Sequence, residues 1–243
     1  MSKVELEIDG KIARIWLNRP EVLNAIDHEV PSLLSKAVNE ADCNTGVHVI
    51  ILSGRGKAFC AGYDLKAYAK ENSGSVTQEM PWDPMRDYKW MWSNTENFMS
   101  LFRASKPVIC KIHGIGALAG GSDMALCCDF VFMCNDAQIG YMPSRVWGVP
   151  TTAMWVYRLG AEKAKRMLFT GDKISGEEAE KIGLILKAVH KDHIDNEVEK
   201  FANRMTSVPI NQLAMQKLMI NQAVEASGLL NTQRFATIFD GIA

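Results

Sequence analysis

This chain has no excess of positive charge. Its 27 Lys and Arg face 28 Asp and Glu, for a formal net charge of −1. No broad basic surface therefore calls for nucleic acid or an anionic membrane as a partner. Metal-ligand spacing is missing as well. His28, His48, His113, His190 and His193 are scattered, and none of the six cysteines forms a C-x-x-C pair, which argues against the common zinc patterns. Most of the cysteines lie in apolar runs, where a reduced cysteine behaves as a small hydrophobe, so the expected compartment is reducing and cytoplasmic. No stretch approaches the ~20 apolar residues that a membrane helix needs. The opening Met-Ser-Lys-Val-Glu-Leu-Glu lacks the apolar core of a signal peptide. The sequence shows no internal repeat and no linker of disordered composition.

What is present is ordinary globular material: 243 residues, 47% hydrophobic and 23% charged, enough to bury a sizeable core. Val4–Ile8 and Ile12–Leu17 flank Asp9-Gly10, a strong hairpin signal. A helix should follow Asp27, with Val30, Leu33, Leu34, Ala37 and Val38 at helical spacing and Pro31 early. Strands are expected over 47–52, 108–112, 130–133 and 184–186, with a short strand and turn over 137–143. Helices are expected over 85–102, 150–159 and 161–169, after the capping box Ser175-Gly176-Glu177-Glu178, and over 191–205 and 209–226. The Trp, Met and Phe stripe of 85–102 reads as core. Residues 71–85 read as a mobile insert or lid. Strand–helix alternation favours an α/β layered fold, with a core over 1–190 and a helical region over 191–243.

One stretch organises the rest, Lys106–Asp129, or KPVICKIHGIGALAGGSDMALCCD. An apolar strand runs into a turn holding Gly114, Gly116, Gly120 and Gly121, and then into a short apolar helix. A helix start leaves backbone N–H groups without internal partners. Glycine lets a ligand approach them, and the natural guest for such amides is an oxyanion, an enolate for example. The turn is not a P-loop, since it lacks the Gly-Lys-Ser/Thr ending. Asp123 lies three residues beyond Gly120 and reads either as an acid/base or as a first-turn carboxylate serving the helix start. A second glycine-rich segment, Lys57–Lys66, again suggests backbone brought close to a ligand. His113 reads as hydrogen-bonded structure, and Cys127 and Cys128 as packed thiols rather than nucleophiles.

These two segments together resemble the enoyl-CoA hydratase/isomerase (crotonase) superfamily. So do Leu17-Asn18-Arg19-Pro20, Leu23-Asn24-Ala25 and Phe169-Thr170-Gly171 before the capping box. The resemblance runs over nearly the whole chain. It implies a ββα spiral core and a C-terminal helical region that makes trimers or dimers of trimers; family members usually continue further, so the region over 191–243 is expected to be truncated or incomplete. The implied substrate is an acyl-CoA thioester, with coenzyme A arriving as part of it and no separate cofactor. The thioester carbonyl would sit between the amides of Ala61 and Gly120. The CoA-bearing substrate would lie along Leu23, Ala25, Gly62, Tyr63, Asp64 and Leu65, with Lys57 at a phosphate.

The departures narrow the chemistry. Family hydratases carry two glutamates. The first falls on Asp123, one methylene shorter, and the second falls near Pro143, Ser144 or Arg145, where there is no carboxylate. The glycine turn also looks one residue longer at Gly116-Ala117. Tyr141, Ser144, Arg145 and Trp147 are expected on the far side of the acyl group. Arg145 reads equally as a partner for an acidic acyl group or as a surface ion-pair residue; Tyr141 and Trp147 read as pocket wall or core. Hydration is easiest with two proton-transfer groups, whereas one carboxylate suffices for double-bond isomerisation. The expectation is therefore a hydratase/isomerase-type enzyme with Asp123 as acid/base. The alternatives are a non-catalytic acyl-CoA binder and a hydrolase or decarboxylase of the same fold, with Asp123 or His113 activating water in the hydrolase.

Overall fold

The computed structural model describes residues 2–69 and 81–242. The opening hairpin forms as expected: β1 (Val4–Asp9) pairs antiparallel with β2 (Ile12–Leu17), with Gly10 at φ +55° in the turn. Helix α1 (Val30–Cys43) follows, and Asp27 Oδ1 accepts the amides of Glu29 and Val30 at its start. Strand β3 (Val49–Gly54) is buried along its whole length, as a strand covered on both faces must be. Next come α2 (Leu65–Ala69), α3 (Pro84–Arg103) and β4 (Val108–Ile112). Of the insert expected over 71–85, residues 71–80 lie outside the described residues, and Pro84 and Met85 already belong to α3. The C-terminal half of α3 is core, through Phe98, Met99, Leu101 and Phe102.

From there the strands are shared between two sheets. β5 (Gly116–Leu118) leads into α4 (Gly120–Leu126), then β6 (Phe130–Cys134) and β7 (Gln138–Gly140). Helices α5 (Met154–Leu159) and α6 (Ala161–Thr170) precede β8 (Lys173–Ser175), α7 (Gly176–Ile182) and β9 (Lys187–Val189). The larger sheet has the order β1-β2-β3-β4-β6-β9, parallel except for the opening hairpin; the smaller has the order β5-β7-β8. The smaller sheet packs so tightly that a Cβ on Gly116, at φ +113°, would lie 1.9 Å from the Gln138 carbonyl oxygen. Three helices finish the chain: α8 (Ile194–Thr206), α9 (Ile210–Ala226) and α10 (Leu229–Ile242). Helix α10 packs against α3.

Three details differ from the sequence reading. The strand expected at 184–186 begins at Lys187, because Gly183 at φ +82° ends α7 and the Leu184 amide bonds back to Ala179 O. Strand β8 was not anticipated, as Ile174 is its sole apolar residue. Helix α10 lies inside the helical region expected over 191–243 but had no bounds of its own there; it starts after Gly228, at φ +97°. Among the described residues no helix is long and apolar enough to cross a membrane.

Candidate active site

The site lies where the segment Ala58–Leu65 meets the turn into α4. The backbone of the first segment is held from several sides. Cys60 N–H donates to Gly116 O, Ala61 N–H to Leu23 O at 3.0 Å and Asp64 N–H to Ile26 O, while Gly62 O accepts from Ile26 N–H. Buried Asn24 ties the loop together, donating through Nδ2 to Arg55 O and Ala58 O. The amide assigned from sequence to the carbonyl cradle, Ala61, is therefore already engaged by Leu23. Two residues on, the Tyr63 N–H has no partner among the described residues. The same holds for Gly120 N–H, the first amide of α4.

These two amides lie close to one another. A Cβ placed on Gly62, at φ +101°, would come 3.7 Å from Gly120 N. A Cβ on Gly120 would lie 2.7 Å from Tyr63 Cε2. Glycine is needed at both places because backbone meets backbone and ring with no room for a side chain. Among the described residues, the non-glycine residues at positive φ are Leu23, Asn24, Ala119 and Ala153. Leu23 and Asn24 hold the first segment, Ala119 precedes Gly120, and Ala153 follows Thr152. Backbone strain is thus concentrated around this site.

Asp123 is buried, 4% exposed, in the first turn of α4. Thr152 Oγ1 donates to its Oδ1 at 2.5 Å, and the Thr152 amide lies 3.4 Å from Oδ2. Burial pushes its pKa up to about 7; the Thr152 hydrogen bonds oppose the rise and the Asp240 charge adds to it. A carboxyl held near neutrality can both take and give a proton. Tyr63 and Tyr141 are buried groups whose hydroxyls are pushed well up by burial and by the charges of Asp123 and Asp240.

Other candidates have other partners. Asp64 pairs with Arg19 at 2.9 Å and accepts the Ala67 amide, so its carboxylate holds the loop. Arg145 pairs with Asp172 and donates to Thr170 O, and its side chain fills the space beside Gly171. Of its two readings, the structure shows the surface ion pair. Ser144 Oγ donates to Tyr141 O, and Trp147 is 63% exposed. Lys57 and Leu65 are exposed, and Ala25 is buried. His113 faces Gly56 O at 3.1 Å, and burial lowers its pKa. Burial pushes the Cys60 thiol up to about 12 and raises Cys127 well above the usual range, so neither is a ready nucleophile. No cluster of three or more metal-ligating side chains occurs among the described residues.

Sequence reasoning missed Asp240. Its Oδ1 accepts the Val149 amide at 2.8 Å, and burial raises its pKa. Nothing in the sequence near residue 240 signals a site, because its place depends on where α10 docks.

A family model described as enoyl-CoA hydratase/isomerase matches residues 7–237. A probable enoyl-CoA hydratase of Rhizobium meliloti is 31% identical, with 96% of this chain and 88% of that protein covered. A crotonyl-CoA hydratase of Syntrophomonas wolfei is 29% identical, with 90% and 82% covered. The crystal structure of an enoyl-CoA hydratase from Mycobacterium smegmatis superposes with a TM-score of 0.91 at 44% identity, covering all of this chain and 85% of that one. With its two-sheet core and closing helices, the chain belongs to the enoyl-CoA hydratase/isomerase family and has the crotonase fold.

Proposed function

We propose that this protein forms and discharges the enolate of an acyl-CoA thioester, by hydration or by double-bond isomerisation, with Asp123 as acid/base. The single observation that carries the reading is a buried carboxyl with a pKa of about 7 near two amides that have no partner among the described residues. In this reading the thioester oxygen accepts from Tyr63 N–H and Gly120 N–H. Negative charge developing on that oxygen meets donors already in position, and each such donor is typically worth about 2.7–4 kcal/mol. Asp123 takes the proton from C2 as the enolate forms, or returns one to carbon as it collapses. Leu23, Ala25, Gly62 and Leu65 flank the path of the CoA-bearing chain, and exposed Lys57 is available to a phosphate. Coenzyme A comes as part of the substrate.

Exposed Met215, Leu218, Met219 and Ile220 on α9, with Phe235, Ile238 and Phe239 on α10, support assembly as a trimer or a dimer of trimers. Six unpaired cysteines suit a reducing compartment such as the cytoplasm.

The test is incubation of the protein with 2-enoyl- and 3-enoyl-CoAs of varied chain length in D2O, followed by mass analysis. Product formation or deuterium uptake at C2, abolished in Asp123→Asn, is expected. Absence of both with every thioester would sink the reading. A second reading, acyl-CoA binding without chemistry, draws on the lack of a carboxylate at 143–145; CoA binding by calorimetry with no turnover would favour it. Release of free CoA or of CO2 in the same assay would instead mark a hydrolase or decarboxylase.

A further inference from the structure

Several other buried or half-buried carboxylates have cations. Asp27 pairs with Lys3, Asp64 with Arg19 and Asp129 with Lys217, at 2.7, 2.9 and 2.7 Å. Asp123 and Asp240 have none among the described residues. Asp240 binds the Val149 amide through Oδ1, and its Oδ2 has no partner among those residues. Two such acids sharing one region repel each other and resist ionisation. Folding alone gives no reason to keep them there.

On the face of α10 that carries Asp240, the polar side chains of Gln233 and Thr237 are buried and Asp240 itself is half-buried. Gln233 is 1% exposed and Thr237 0%, and with Asp240 they follow the i, i+4, i+7 spacing of one helix face. That face docks on the segment that orients Asp123: Gln233 Nε2 donates to Thr152 O at 2.9 Å, and Thr152 holds Asp123. Val149, Asp240's partner, stands three residues before Thr152. Gly148 beside it has its missing Cβ 3.3 Å from Tyr141 Oη. Asp240 therefore joins the site on the side of residues 141–149, next to where a second acid was expected and where Pro143, Ser144 and Arg145 offer none.

We propose that Asp240, delivered by the C-terminal helix, is the second carboxylate of this active site, working opposite Asp123 on the acyl group. This rests on the acyl-CoA reading above. In hydration, water oxygen bonds to C3 and its proton goes to one carboxylate, while the other gives a proton to C2. In isomerisation, one carboxylate takes the C2 proton of a 3-enoyl thioester, the double bond moves to C2–C3, and C4 is protonated by the other. Either way the two acids end with one proton between them, as they began. The titratable groups that share this region are Asp123, Tyr63, Tyr141 and Cys127.

The test compares wild type, Asp240→Asn and Asp240→Glu. Asn keeps an oxygen to accept the Val149 amide, so the helix should remain docked. Asp240→Asn is expected to lower kcat about 10²–10⁴-fold, with KM changed only a few-fold and one limb of the kcat–pH profile lost. Asp240→Glu should recover part of the rate. In Asp240→Asn, carboxyl NMR should also find Asp123 titrating below its wild-type position. Wild-type turnover left unchanged by Asp240→Asn, with an unchanged pH profile, would reduce Asp240 to a clasp on Val149 and overturn this proposal alone. Absence of turnover and exchange in the wild type would overturn the acyl-CoA reading and this one with it.

Discussion

Replacing Asp123 with Asn separates what the site needs from what the fold prefers. The carboxyl's ordinary value is 3.8, and burial lifts it to about 7. The folded state therefore holds this proton more tightly than the unfolded chain does, and stability falls as pH rises from about 4 to 7. At 1.36 kcal/mol per pH unit, the cost of an ionised Asp123 above pH 7 is at most about 4 kcal/mol. Asn carries no such charge. Its oxygen can still accept from Thr152 Oγ1, but its amide would face the Thr152 N–H, donor against donor, at about 1–2 kcal/mol. The net expectation is a variant close to wild type at pH 5 and more stable by about 2–3 kcal/mol at pH 8. For a domain of this size that is a rise in Tm of about 4–12 °C. Thermal melts of both proteins between pH 5 and 8 supply the measurement, with the activity of the variant down about 10²–10⁴-fold. A stability difference that does not grow with pH, or a variant less stable than wild type at pH 8, would refute the argument that Asp123 is a desolvated acid.

Thr152→Val removes the hydroxyl that favours the Asp123 anion. The acid limb of the activity profile should move up by about one to two pH units, while CoA binding by calorimetry stays near wild type. Lys217→Met leaves the half-buried Asp129 without its paired cation and takes a donor from Leu101 O and Lys106 O. Urea unfolding should show a loss of about 3–5 kcal/mol at pH 8, smaller at pH 5 where Asp129 can protonate; a cost independent of pH would contradict the pairing.

Local signals carried most of the architecture. Asp9-Gly10 named the hairpin, the capping Ser175 accepts the Glu178 amide as its spacing implied, and the apolar runs of β3, β4 and β6 became buried strands. The glycines and Asp123 marked the place of the candidate site. What sequence could not tell was which amide is left over. That depends on Leu23 O, Ile26 O and Gly116 O reaching Ala61, Asp64 and Cys60 from two other parts of the chain, and these contacts leave Tyr63 rather than Ala61 with the N–H that has no partner among the described residues. Strand β8 carries too little apolar sequence to announce itself, and its place comes from pairing with β7. Asp240 lay hidden for a related reason: an acid near a chain end looks like solvent-exposed charge until its helix is packed.

Strand order has a consequence for how the molecule is made. In both sheets each strand is bonded to neighbours that come before and after it among that sheet's own members, with no later strand inserted between earlier ones. A chain leaving the ribosome can extend each sheet at its growing border, never needing to reopen pairs already formed. The helix bearing Asp240 follows every strand of both sheets in the chain, so the scaffold can be standing well before that carboxylate is in place.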